Sequence, residues 1–102
     1  MKSEKEKMIS GEMYLPADIE LSREREKTRL LLLKFNQTPE DRADIRNKLL
    51  KELLPNTGHN LWIQPPFYCD YGYNIITGEN VYFNFNCVVL DVAEVKIGSR
   101  CL

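Results

Sequence analysis

His59 is the one imidazole in this 102-residue chain, and imidazole is the side chain that exchanges protons most readily near neutral pH. It falls within Asn56-Thr57-Gly58-His59-Asn60, a run of turn formers, so a solvated turn residue is its expected role. The three thiols Cys69, Cys87 and Cys101 are odd in number and show neither a Cys-x-x-Cys pair nor a Cys/His metal spacing. They read as reduced packing cysteines, and no metal is expected. The charges sum to −1 from 14 basic and 15 acidic side chains, so no net field favours nucleic acid or an anionic membrane. All but six of these charges precede Pro55, mixed in sign and without a basic row along one face. That pattern is a solvated helical surface.

Two stretches carry the architecture: Thr77-Gly78-Glu79-Asn80-Val81-Tyr82 and Ile97-Gly98-Ser99-Arg100-Cys101-Leu102 lie twenty residues apart. Each reads as one short face of a parallel β-helix. The first residue points inward, the glycine allows the tight bend, and a small apolar side chain fills the interior. Three six-residue faces make a coil of about eighteen residues, so the longer spacing implies a small bulge or loop. Eight of the ten aromatics lie between Trp62 and Phe85, which suits a sheet-forming, side-chain-packed second half.

Helices precede it. Ser3-x-x-Glu6 is a capping box, and the helix it opens stops at Gly11. From about Ala17 or Ser22 to Phe35 the residues Leu21, Thr28, Leu31, Leu32 and Phe35 share one helical stripe. Thr38-Pro39-Glu40-Asp41 reads as N-cap, N1 proline and acidic first turn. The helix it opens presents Ile45, Leu49, Leu50, Leu53 and Leu54 and ends at Pro55. The fold class is therefore α+β, with helices over 1–55 and a linker plus the first coil of a β-helix over 56–102. The longest apolar run, Leu30–Leu33, is too short to span a bilayer. No apolar leader core follows the charged Met1–Lys7, and a cytoplasmic location is expected.

The run Tyr68-Cys69-Asp70-Tyr71-Gly72-Tyr73-Asn74-Ile75, with Gly78-x-Asn80, Asn84-Phe85-Asn86 and Val89-Leu90-Asp91, resembles the maltose/galactoside O-acetyltransferase family. The opening Glu4–Tyr14 is similar to the start of that family's helical segment, and the likeness covers nearly all of the chain. The resemblance implies a homotrimer of left-handed β-helices that binds acetyl-CoA between neighbouring subunits. It implies a histidine general base on a hydroxyl of a sugar acceptor, a task that contributes about 10²–10⁴-fold.

Residue by residue, Asn84 matches the asparagine beside the reacting centre, where its amide would hold the acceptor or the thioester oxygen. Its alternative is a ladder asparagine. Asp70 matches a sugar-contacting position, or else closes the turn before Gly72. Tyr82 matches an aromatic lining the acceptor pocket, or else packs. Asp91 lies one place before an acceptor-binding aspartate whose own position holds Val92, which tilts the reading toward the maltose branch. Pro16 stands where the family has an acidic residue near Tyr14, with Asp18 close by. The family's base follows the stretch that ends here, and His59 does not match it. The expectation is therefore a front half, cut after about one coil, inactive alone; the alternative is a non-catalytic sugar-binding or oligomeric interaction module.

Overall fold

The computed structural model describes residues 2–99. Three helices come first, α1 (Glu4–Ile9), α2 (Ile19–Asn36) and α3 (Ala43–Leu53). Six short strands follow: β1 (Trp62–Ile63), β2 (Phe67–Cys69), β3 (Ile75–Thr77), β4 (Tyr82–Phe83), β5 (Cys87–Val89) and β6 (Val95–Ile97). The capping box forms as expected: Ser3 Oγ accepts from the Glu6 N–H, and the Glu6 carboxylate accepts from the Ser3 N–H, both at 3.1 Å. Asp18 caps α2, and the predicted stripe of Leu21, Thr28, Leu32 and Phe35 is buried.

The third helix departs from expectation. It begins at Ala43 rather than after Thr38, because the Thr38 hydroxyl donates back to the Lys34 carbonyl at 2.7 Å. The Pro39 carbonyl meanwhile accepts from the Arg42 N–H, closing a turn ahead of the helix. Arg46 turns inward and donates to the Thr38 carbonyl at 3.0 Å, while Ile45 is partly exposed.

Every strand pair is parallel with one offset: Trp62 aligns with Tyr82, Phe67 with Cys87 and Ile75 with Val95, each twenty residues on. The strands thus form two stacked rungs of three faces, where about one coil was expected. The residues beyond a plain hexapeptide triplet fall in the β2–β3 connection, Asp70–Asn74. A second correction concerns the corner. The left-handed residues there are Asn60 and Asn80, at φ 59° and 58°, and the glycines contribute close approach instead. A Cβ on Gly58 would lie 2.4 Å from the Gly78 carbonyl oxygen, and one on Gly78 would lie 2.2 Å from Ser99 Oγ. Asparagine tolerates the left-handed region better than other non-glycine residues. Arg100, Cys101 and Leu102 of the second hexapeptide lie outside the described residues.

One core joins helices to coil: Leu32, Phe35, Leu50, Leu53 and Leu54 pack on Ile63, Phe67, Ile75, Val81 and Phe83. The helices also close the open backbone edge of the first rung. Asn36 pairs with Phe67 as a strand neighbour would, accepting from its N–H at 2.9 Å and donating to its carbonyl at 3.0 Å. Thr28 Oγ1 donates to the Tyr71 carbonyl at 3.0 Å, and Asn56 Nδ2 to the Tyr73 carbonyl at 2.6 Å. Buried backbone groups without such partners would each cost about 1–3 kcal/mol.

The β2–β3 connection is held from the rung below. Asp91, 0 % exposed, accepts from the N–H groups of Asp70 (3.0 Å), Tyr71 (2.9 Å), Gly72 (2.7 Å) and Asn74 (3.3 Å). The Asn74 side chain donates to the Asp91 carbonyl at 2.8 Å. Gly72, at φ +89°, gives the backbone the left-handed turn this requires. Replacing Asp91 by alanine orphans these buried donors. A loss of about 3–5 kcal/mol is expected in urea unfolding, and a loss below about 1 kcal/mol would refute this role.

Candidate functional site

Asp70 opens the β2–β3 connection, half-buried beside the N-terminal half of α2. Burial and the nearby negative charge of Asp91 push its carboxyl above the usual range, and Arg25 and Arg29 pull it back down. Arg25 is held in turn: it donates to the Tyr71 hydroxyl and to the Pro16 carbonyl, both at 2.7 Å. Tyr73 donates to Glu24, which also accepts from Lys5. These contacts anchor α1 and α2 on the coil through the aromatic pair Tyr71 and Tyr73. Desolvation raises the Cys69 thiol far above its ordinary range, leaving an inert packing residue.

Tyr82 and Asn84 belong to the second rung. Strand alternation turns Val81 and Phe83 inward and Tyr82 outward. Asn84 lies in the exposed β4–β5 connection, where its Oδ1 accepts from the Phe85 N–H at 2.8 Å. Among the described residues the Nδ2 group of this exposed side chain has no hydrogen-bond partner. An asparagine ladder stands at another corner, where Asn60 donates to Asn80 Oδ1 at 3.0 Å.

The structure thus separates the expected residues into two groups. Asp70 and Asp91 share the connection after the β2–β5 face, and Tyr82 and Asn84 precede that face. Three strand residues, about 10 Å of chain, lie between. Asp91, expected on the acceptor side, has both carboxylate oxygens filled by backbone donors and none free for a ligand. His59 is an exposed corner residue, as expected. Among the described residues, no group of three His, Cys, Asp or Glu side chains is arranged to hold a metal. Sequence reasoning missed that Thr57-Gly58-x-Asn60 is the first copy of Thr77-Gly78-x-Asn80. The signal was there, twenty residues upstream.

Residues 7–58 match the maltose acetyltransferase hexapeptide capping motif, which runs from α1 through the helices to the first corner of the coil. The chain belongs to the maltose/galactoside O-acetyltransferase family. Among relatives, Nodulation protein L of Rhizobium leguminosarum bv. viciae is 50% identical over 97 residues, covering 95% of this chain and 51% of that protein. A maltose O-acetyltransferase from Clostridium difficile 630 superposes with a TM-score of 0.93 at 41% identity, over 96% of this chain and 52% of that one. A galactoside acetyltransferase in complex with coenzyme A superposes at 0.87 with 32% identity, over 96% and 49%. The chain spans about half the length of these relatives.

The raised carboxyl of Asp70 has a consequence for stability. A carboxyl whose folded value exceeds its unfolded value, near 3.8, favours the fold when protonated. Its contribution is fully present below the unfolded value and is lost as pH rises through the folded one. Asp70→Asn is therefore expected to flatten the pH dependence of urea stability from about pH 4 upward. A variant curve that parallels the wild type would contradict this assignment.

Proposed function

We propose that residues 1–102 form the helical cap and the acceptor side of a sugar O-acetyltransferase of the maltose/galactoside type, built on a left-handed parallel β-helix. Residues 1–55 serve as the cap, and 56–102 as the coil. The observation that carries the reading is an outward Tyr82 beside an exposed Asn84 whose amide nitrogen has no partner among the described residues, on a coil of this family. Tyr82 offers an apolar ring to a pyranose face, and Asn84 Nδ2 offers a donor to the acceptor or to the oxygen that develops negative charge.

Such a donor is worth about 2.7–4 kcal/mol when aimed at an oxyanion. Asp70 supplies a carboxylate that can accept sugar hydroxyls. Asp91 is left out of this set because its oxygens are engaged. Acetyl-CoA supplies the activated acetyl group, a reading supported by the coenzyme A complex of the similar galactoside acetyltransferase. Among the described residues the cations beside the site, Arg25 and Arg29, lie by Asp70, so no coenzyme contact is assigned to them. Nor is a base assigned: His59 lies at the corner before β1, a different corner from Asn84. By themselves these 102 residues are expected not to turn over.

The assembly we propose is the homotrimer that the family resemblance implies, and the separation of the two groups supports a site shared between copies. The β2–β5 face between them is apolar outward, with Tyr68, Val88 and Leu90 being 50%, 60% and 68% exposed. Covering it with a second copy would bring the Asp70 end of one chain toward the Tyr82–Asn84 end of another. A cytoplasmic setting accords with Cys69 and Cys87 being free thiols.

The test is a chimera in which residues 1–102 replace the matching half of the Clostridium difficile enzyme. Acetyl transfer from acetyl-CoA to maltose is expected, lowered about 10²-fold in kcat/KM by Asn84→Ala. A folded chimera without transfer, or one indifferent to Asn84→Ala, would reject the assignment. The second reading, a non-catalytic sugar-binding module, predicts binding of maltose by the 102-residue chain together with an inactive chimera.

A further inference from the structure

Trp62 is the direct register partner of Tyr82, one rung nearer the cap. The same alternation that turns Ile63 and Phe83 inward turns both Trp62 and Tyr82 outward, and each is half-buried. Neighbouring strands lie about 4.8 Å apart, so the two side chains leave one outward wall of the coil a single rung apart. The indole is also fixed in direction. With the Gln64 amide oriented to satisfy its neighbours, its oxygen accepts from Trp62 Nε1 at 2.9 Å and its nitrogen donates to Glu40 at 3.3 Å. Glu40 lies 3.8 Å from the buried Arg46 guanidinium. A loop of the cap thereby holds the ring plane of a side chain on the coil.

Resting on the acceptor reading above, we propose that Trp62 is a further specificity-determining contact, and that the wall takes an acceptor of two linked pyranose rings. One ring lies on Tyr82 beside Asn84, and the next on Trp62. Height along the coil supports this. Asp70 follows Trp62 by eight residues and precedes Tyr82 by twelve, so it lies between the two rungs. Rotation about a trimer axis parallel to the coil preserves that height. The Asp70 of a neighbouring copy then faces the junction of the two rings rather than Tyr82 alone. Gln64 is a positioning residue in this arrangement, acting through the indole.

Trp62 is the sole tryptophan of the chain, which makes it its own reporter. Maltose and glucose are titrated into the full 102-residue protein by calorimetry and by tryptophan fluorescence. Maltose is expected to bind at least about fivefold more tightly than glucose and to shift the Trp62 emission on the calorimetric curve. Trp62→Leu should abolish the maltose advantage while leaving glucose binding in place. Gln64→Ala should weaken maltose binding and broaden the emission. Maltose binding with silent Trp62 emission, or an advantage that survives Trp62→Leu, overturns the role of Trp62 and leaves the acceptor site standing. Flat heats with both sugars overturn the acceptor reading itself, and this inference with it.

Discussion

A stack of parallel rungs has an open edge, and closing that edge is the constraint on which this structure depends. Strands β1, β2 and β3 pair with β4, β5 and β6 on one side only. Their other side would present unpaired backbone groups and an uncovered apolar interior, an invitation to aggregation. The helices answer both needs. Leu32, Phe35, Leu50, Leu53 and Leu54 cover the interior, and Asn36, Thr28 and Asn56 supply hydrogen bonds where a preceding strand would have stood. The helical segment and the coil are therefore one packed unit, although their compositions differ.

From the other direction, Asp91 ties the longest connection of the first rung to the second. Its carboxylate gathers four backbone donors that would otherwise have no partner in the interior. This fixes where Asp70 emerges and how Tyr71 and Tyr73 present themselves to α1 and α2. The position of a candidate binding carboxylate is set in this way by a second carboxylate that cannot itself bind.

Much of this was legible in the residues. The capping box at Ser3, the α2 stripe and the hexapeptide faces follow from local chemistry and short periods, which is why they were readable. The start of α3 was not, because Thr38 had two competing uses. Its hydroxyl could cap the next helix or bond back to α2, and packing of Arg46 against its carbonyl favours the second. The number of rungs was undercounted because the first corner, Thr57–Asn60, looked like an ordinary turn until its copy at Thr77–Asn80 was stacked beneath it. The site was only partly legible. The resemblance gave Asp91 as an acceptor contact, but whether a carboxylate faces solvent or backbone depends on burial. The partnership of Trp62 with Tyr82 required the twenty-residue register, which no local pattern encodes.

The central claim is that a sugar is held on the outward side of the first face, where Tyr82 and Asn84 meet the coil corner. The most direct measurement is a titration of the ¹⁵N-labelled protein with maltose, followed by amide and indole resonances. Saturable shifts concentrated at the Asn84 side-chain amide, the Phe85 backbone and the Trp62 indole are predicted, with the amides bound to Asp91 left in place. Shifts confined to the outer surface of α2, or none at all, would contradict the account.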